Sequence, residues 1–319
     1  MSLHRAGFIR ILQKLPGAFD HADLDPDTGT VVLANEAQGC LEVLDGQLLR
    51  HEVSIPDCPG ASGVLYLPEL RSFIGAARAK GRVILVDARS WQVVRGTAVG
   101  PRPNGLAWDG GRRLVLVADV EDHSARLVDV LTGSLAAHAA LPGRPRWCLY
   151  DAARDRYWVN IADPPMVVGL RGADLQKEVE FSVDAAGPHG LALDETTARL
   201  LVACDAGRLL ALERDTGRVV GECALAGPPD VVWLNAQRRR LYVAIGEPGC
   251  VQAVDLDTYD IVEEIVTEQG AHTLAFDDRR QLLYVFLPKT GQAAVYEETD
   301  ERNRSHEIDR MMDEGGAWR

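Results

Sequence analysis

The chain has 319 residues, of which 46% are apolar, 25% charged and 6% aromatic, and its formal net charge is -13. This composition is typical of a soluble globular protein of one large domain or two ordinary ones. It contains no run of 18 apolar residues, and residues 1–20 lack the apolar core of a secretory leader. We therefore expect a cytoplasmic protein without a membrane partner. The acidic charge argues against duplex nucleic acid as a partner.

The first predicted element is a strand over residues 8–15, FIRILQKL. A short phrase then recurs along the chain as DHADLD (20–25), ASGVLYL (61–67), PNGLAWD (103–109), PRWCLYD (145–151), PHGLALD (188–194), PPDVVWL (228–234) and AHTLAFD (271–277). One polar residue of each phrase aligns at gaps of 41 to 43 residues: His21, Ser62, Asn104, Arg146, His189, Asp230 and His272. So regular a period indicates a repeat architecture.

Each unit continues with three more β-rich runs separated by turns rich in Gly, Asp and Arg, which matches the blade of a β-propeller. The sequence therefore predicts an all-β, seven-bladed propeller of four-stranded blades over residues 1–298, with units starting near residues 16, 56, 101, 142, 185, 226 and 269. The last unit has only three runs, so the strand at 8–15 is expected to complete the seventh blade and close the ring. Residues 299–319 form a polar tail in which SHEIDRMMDEGG predicts one short helix.

The phrase PHGLALD followed by LLVAC and LLALE resembles the YVTN-type β-propeller repeat, and so does AHTLAFDDRRQLLYVFLPKTGQAAVYEE. The resemblance implies the propeller fold for nearly the whole chain. It leaves the function open, because propellers of this kind include lactone hydrolases, lyases, cofactor-linked oxidoreductases and binding platforms.

Because neighbouring strands of a blade are antiparallel, the starts of the innermost strands and the ends of the second strands are expected to meet at one mouth of the central channel. This predicts a ligand site formed by His21, Asn35, Asn104, Asp119, Arg146, Asn160 and Asp205. Three of the eight histidines share the aligned position, which makes His189 and His272 the candidate catalytic residues. The alternative is an inert polar ring that caps strand ends and binds channel water.

Two further resemblances suggest chemistry at this mouth. The phrases PNG and PPD are similar to metal-binding phrases of the gluconolactonase and senescence-marker-protein family, which implies Asn104 and Asp230 as ligands. With His189 they would hold a divalent cation, calcium, magnesium or zinc, that assists hydrolysis of a lactone. The phrase AHTLAFD resembles streptogramin lyase propellers, which implies His272 as a general base beside bound magnesium.

A third interpretation uses the arginines. Arg78, Arg102 and Arg144 lie near the aligned ring, and Arg146 alone is expected to point at the channel and bind a carboxylate or phosphate. Cys204 is either a thiol nucleophile beside His189 or a small buried residue. The function predicted from sequence is thus binding of a small polar or anionic molecule, with lactonase-like hydrolysis possible only if a metal is bound. A non-enzymatic scaffold for a protein partner and a lyase with a histidine base are the alternatives.

Overall fold

The computed structural model describes residues 2–11 and 17–299. These residues form 28 strands in seven four-stranded antiparallel sheets, which are the blades of a β-propeller. The predicted all-β, seven-bladed fold is therefore confirmed. The predicted tail helix and residues 12–15 of the predicted first strand lie outside the described residues.

The strands follow the chain in order, from the innermost to the outermost strand of each blade. Blades one and two contain β2 (Phe19–Asp25), β3 (Thr30–Asn35), β4 (Cys40–Asp45) and β5 (Arg50–Ile55), then β6 (Ala61–Leu67), β7 (Ser72–Ala77), β8 (Arg82–Asp87) and β9 (Val93–Ala98). Blades three and four contain β10 (Pro103–Asp109), β11 (Leu114–Asp119), β12 (Ser124–Asp129) and β13 (Leu135–Ala140), then β14 (Pro145–Asp151), β15 (Arg156–Ile161), β16 (Met166–Arg171) and β17 (Lys177–Ser182). Blades five and six contain β18 (Pro188–Asp194), β19 (Arg199–Cys204), β20 (Arg208–Glu213) and β21 (Val219–Ala224), then β22 (Pro229–Asn235), β23 (Arg240–Ile245), β24 (Cys250–Asp255) and β25 (Ile261–Val266). Blade seven contains β26 (Thr273–Asp277), β27 (Leu282–Leu287), β28 (Gln292–Thr299) and, as its outermost strand, β1 (Ser2–Arg10).

The N-terminal strand closes the ring, but it lies earlier in the chain than the sequence pattern indicated. β1 pairs antiparallel with β28 from Ser2 opposite Thr299 to Arg10 opposite Gln292. Since β28 offers a free edge over its full eight residues, the pairing extends back to Ser2 and does not begin at Phe8. The predicted boundaries of 8–15 are thus corrected to 2–10.

Burial along each strand follows from its place in the blade. The second strands are buried on both faces because adjacent blades pack on either side of them, as in β23 and β27. The outermost strands alternate between exposed and partly buried residues, as in β25, because one face meets water. Two short 3-10 turns, Pro68–Leu70 and Arg78–Lys80, are the helical segments in the described part of the chain. No helix among the described residues could cross a membrane; the predicted cytoplasmic location stays a prediction.

Close approach of neighbouring innermost strands requires a glycine at one repeated position. A Cβ atom at Gly190 would lie 2.6 Å from the carbonyl oxygen of Asp230 in the next blade. At Gly105 it would lie 2.5 Å from the carbonyl oxygen of Arg146. Backbone atoms cannot swing aside as a flexible side chain can, so these glycines fix how tightly the blades converge on the channel.

We expect Gly190→Ala to lower the free energy of unfolding by about 1–3 kcal/mol, because overpacking forces β18 and β22 apart. The matched control is Gly96→Ala on the outermost strand β9, where the added Cβ would meet only Arg82 Nη1, at 3.8 Å. Chemical denaturation of both variants measures the difference. Equal stability of the two variants would contradict the close approach.

Candidate functional site

The register of the blades corrects the sequence alignment by one residue in blade one. Phe19 begins β2 opposite the last residue of β3, as Pro103 begins β10 opposite the last residue of β11. Asp20, and not His21, is therefore equivalent to Asn104. The corrected positions form what we call the mouth ring, at the face where the innermost strands begin: Asp20, Ser62, Asn104, Arg146, His189, Asp230 and His272.

His189 lies at the centre of a chain of charged groups in the mouth ring. Its Nδ1 lies 2.8 Å from Asp205 Oδ1, and its Nε2 lies 3.1 Å from Asp230 Oδ1. Arg146 extends this chain, with Nη2 3.5 Å from Asp205 Oδ2 and Nη1 3.3 Å from His189 Nε2. His272 lies on the other side of Asp230, at 3.9 Å. The structure thus brings together both predicted catalytic histidines with Arg146, Asp205 and Asp230.

The carboxylates hold His189 in its charged form. Burial by itself would lower the pKa of His189, but the charge of Asp230 and hydrogen bonds to Asp205 and Asp230 raise it to about 9. Burial likewise would raise the pKa of Asp230, but His189, His272 and His21 hold it well below its usual range. With both ring nitrogens facing carboxylates, His189 is an imidazolium at neutral pH. It therefore acts as a cation or a proton donor, and not as a neutral base.

A second group of contacts lies on the blade-one side of the mouth. Asp20 lies 2.7 Å from His21 Nδ1 and accepts a hydrogen bond from Arg78 Nη2 at 3.0 Å. Arg78 Nη2 also donates to Asn104 Oδ1, and Arg78 Nη1 lies 3.5 Å from Glu36 Oε1. Arg146 is thus joined at the mouth by a second arginine, Arg78, which the sequence interpretation placed beside the ring but not in it.

Four arginines of blades two to four surround this sector. Burial and the like charges of its neighbours, Arg146 first, lower the pKa of Arg144, although Asp205 opposes them. Arg102 and Arg78 contribute in the same direction. Arg102 and Arg144 are exposed, and neither side chain makes an ion pair or a hydrogen bond with a residue in the described part of the chain. The two occupy the same position in adjacent blades, two residues before the mouth ring.

Three predicted ligand residues make buried contacts within or between the blades and not at the mouth. Asn35 is fully buried and donates to Glu42 Oε1 at 2.9 Å. Asn160 is fully buried and donates to the carbonyl oxygens of His189 and Gly190, both at 3.0 Å, so it holds the backbone of β18. Asp119, also fully buried, pairs with Arg126.

Those three side chains therefore do not line the mouth. Burial, partly offset by Arg126, raises the pKa of Asp119 to about 6. Sequence alignment could not show this, because the partner lies on the next strand of the same blade for Asn35 and Asp119 and in the next blade for Asn160.

The polar side chains of the mouth form ion pairs and hydrogen bonds mainly with one another. Within residues 2–11 and 17–299, no group of three or more His, Cys, Asp or Glu side chains is arranged to hold a metal ion. Of the three predicted ligands, Asn104 accepts from Arg78, and His189 and Asp230 face each other. Burial raises the pKa of the Cys204 thiol to about 12, so the thiolate that a nucleophile needs is not formed at neutral pH. Cys204 is fully buried.

One residue deeper than the mouth ring, two large side chains meet across the channel. The ring centroids of His21, in blade one, and Trp147, in blade four, are 4.6 Å apart. The equivalent positions of the other blades hold smaller residues: Gly63, Gly105, Gly190, Val231 and Thr273. Blades one and four lie on opposite sides of the ring, so this contact bridges the channel below the mouth.

Beyond the contact lies a cavity of about 450 Å³, which we call the channel cavity. Its lining is mainly apolar and includes five aromatic side chains: Tyr66, Trp108, Trp147, Tyr150 and Trp233. Asp23 is the one acidic residue among its lining residues, and the sequence interpretation missed it. The corrected alignment contains the signal, because Asp23 stands where the other phrases have Leu, Ala or Trp.

No protein-family model matches this sequence, and a search of curated proteins finds no match. The YVTN-type resemblance therefore stays a prediction of the repeat pattern.

We expect His189 to titrate with a midpoint of about 9, measured by NMR on histidine labelled with carbon-13. Asp230→Asn and Asp205→Asn should lower the midpoint, whereas Asp215→Asn, at an exposed pair with Arg154, should not. The raised pKa also contributes to the free energy of unfolding. That contribution is complete below about pH 6.5 and is lost as the pH rises through about 9. A His189 midpoint below 7 would contradict the ion-pair assignment.

Proposed function

We propose that this propeller binds a small anionic molecule at the mouth of its channel, between the arginines of blades two to four and the His189 imidazolium. The observation that carries the proposal is the convergence of Arg78, Arg102, Arg144 and Arg146 in a protein whose net charge is -13. Two of these four side chains have no ion-pair partner among the described residues. Like charges gathered in this way are stabilised by a bound anion.

The arrangement suits a carboxylate or a phosphate. Guanidinium groups donate two parallel hydrogen bonds to such groups, and Arg144 and Arg102 are free to do so from adjacent blades. Arg146 is held by Asp205, with 3.5 Å between Nη2 and Oδ2, so its position is fixed before the ligand arrives. A preorganised cation loses less conformational entropy on binding than a freely moving one.

The two predicted catalytic histidines take different roles in this proposal. His189 contributes positive charge and, for a ligand that reacts, an acidic proton. His272 is the more exposed of the two, with 34% of its side chain accessible, and it lines an open hollow of about 440 Å³ with Asp230, Glu247 and Lys289. A base that serves a lyase or a lactonase would therefore be His272. Binding is the function proposed, and catalysis would be a property added to it.

Membership of the YVTN-type repeat family belongs to the same proposal. It is supported by the blade period and by the seven-bladed fold.

The distribution of exposed apolar residues favours ligand binding over a protein-interaction scaffold. Among the described residues, the large exposed apolar side chains lie on outermost strands or their turns and are spread over several blades: Phe8, Leu48, Val93, Val94, Leu131, Leu135, Val219, Val262 and Val266. A docking surface would concentrate such residues on one face. The polar identities instead concentrate at the mouth.

The proposal is tested by titration calorimetry with phosphate, sulfate, succinate and citrate. We expect Arg144→Ala and Arg146→Ala each to weaken binding of the preferred anion by about tenfold or more, because each removes a charge-assisted hydrogen bond. Binding should also weaken with added sodium chloride. The matched control is Arg218→Ala, which removes an exposed arginine paired with Glu213 in the turn between β20 and β21, at the opposite face.

Unchanged affinity in both mouth variants would refute the site, as would absence of binding to the wild-type protein. An equal loss in Arg218→Ala would show that net charge, and not the mouth, attracts the anion.

A further inference from the structure

The channel cavity differs in chemistry from the mouth, because its lining is mainly apolar and includes five aromatic side chains and one carboxyl group. We propose that it binds an organic ammonium ion, held by the Asp23 carboxylate and by the surrounding aromatic rings. The inference does not rest on anion binding at the mouth, because the mouth gathers arginines whereas the one charged residue that lines the cavity besides His21 is Asp23.

The aromatic side chains turn hydrocarbon toward the cavity. Trp108 Nε1 donates to Glu69 Oε2 at 2.7 Å, and Trp233 Nε1 donates to the carbonyl oxygen of Leu274 at 3.1 Å. Both acceptors belong to a neighbouring blade. These hydrogen bonds hold each indole ring against the channel wall and direct its N–H group away from the cavity. Aromatic rings attract cations through the negative charge of their faces, and tryptophan does so most strongly.

Asp23 supplies the only formal negative charge among the lining residues. Its Oδ2 accepts from the backbone nitrogen of Tyr66 at 2.6 Å, and its Oδ1 accepts from the backbone nitrogen of Leu24 at 2.8 Å. These bonds fix the carboxyl group but bring no opposite charge. No arginine, lysine or histidine side chain makes an ion pair with Asp23 in the described part of the chain.

A buried carboxylate without a counter-ion is costly, and a bound cation would remove that cost. Burial raises the pKa of Asp23 to about 7, despite the two backbone hydrogen bonds. The group is therefore only partly ionised at neutral pH, and a cation would favour its charged form.

The cavity is reached from the face opposite the arginines. Trp108 and Tyr150 line both the channel cavity and a hollow of about 670 Å³ at the face where the innermost strands end. Glu69 lies in that hollow, against Trp108, together with Asp109 and Arg112, which pair with each other. Size and chemistry together indicate an ammonium group that carries an apolar body and fills part of about 450 Å³.

The experiment compares choline with dimethylbutanol, its uncharged isostere in which carbon replaces the nitrogen. Binding is followed by tryptophan fluorescence and by calorimetry on the full chain. We expect choline to bind and the isostere to bind about tenfold more weakly or not at all. Equal binding of the two probes would overturn the proposal, because the cavity would then select only for apolar shape.

Asp23→Asn should weaken choline binding by about tenfold, and its amide can accept only one of the two backbone hydrogen bonds that the carboxylate accepts. Trp147→Leu should also weaken it, and Trp147→Phe should restore most of the affinity. Trp147 suits this test because no hydrogen bond of its indole to a described residue is lost. Circular dichroism and thermal unfolding establish that each variant is folded. A folded Asp23→Asn variant with wild-type affinity for choline would overturn the assignment.

The pH profile separates Asp23 from its neighbours. Choline itself does not titrate, so its affinity should rise as the pH increases through about 7 and the Asp23 carboxylate forms. The other titratable residues that line the cavity are His21, Tyr66, Cys148 and Tyr150. Burial raises the pKa of Tyr66 and of Tyr150 to about 12 and that of Cys148 still higher, so His21 is the one to control for.

The rise should persist in His21→Gln and disappear in Asp23→Asn; the opposite result would overturn the assignment to Asp23. Arg146→Ala should leave choline binding unchanged, and Asp23→Asn should leave anion binding unchanged. Failure of this proposal is thereby distinguished from failure of the proposed function.

Discussion

Backbone pairing between the first and the last described strand is the interaction on which the rest of the structure depends. Six blades are each built from one continuous stretch of chain, but blade seven takes β1 from the opposite end. Without that strand, β28 would present a free edge and the ring would be held by side-chain packing alone. The mouth ring and the His21–Trp147 contact need the closed circle, because each joins residues from blades far apart in sequence. Closing so long a loop costs little more entropy than closing a short one, since the cost grows only with the logarithm of loop length.

The fold could be predicted because its signal is repeated seven times. Any single run of four to eight apolar residues is ambiguous between helix and strand, but a phrase returning at nearly constant spacing is not. The alignment of individual positions within the phrase could be predicted less well. The DHADLD copy lacks the proline that marks the start of β10, β14, β18 and β22, so its alignment slipped by one residue and put His21 in place of Asp20. In a strand, a slip of one residue exchanges the two faces.

The sequence predicts which polar residues lie at the mouth, but it does not predict how they interact there. Of the residues that interact at the mouth, the sequence analysis named Asn104, Arg146, His189, Asp205, Asp230 and His272. It could not show that His189 is charged, because that depends on carboxylates from its own blade and the next. It could not separate Asn160, which binds backbone carbonyls, from residues that face the mouth. Asp23 escaped notice for a related reason, since its character comes from the lack of an ion-pair partner among the residues that the structure describes.

The contact between His21 and Trp147 has a consequence for the central channel of the propeller. Two rings from opposite walls, 4.6 Å apart, narrow the channel one residue below the mouth ring. Both rings line the channel cavity, and His21 also lies 2.7 Å from Asp20 of the mouth ring. A substitution at His21 therefore changes the surroundings of the mouth and of the cavity together.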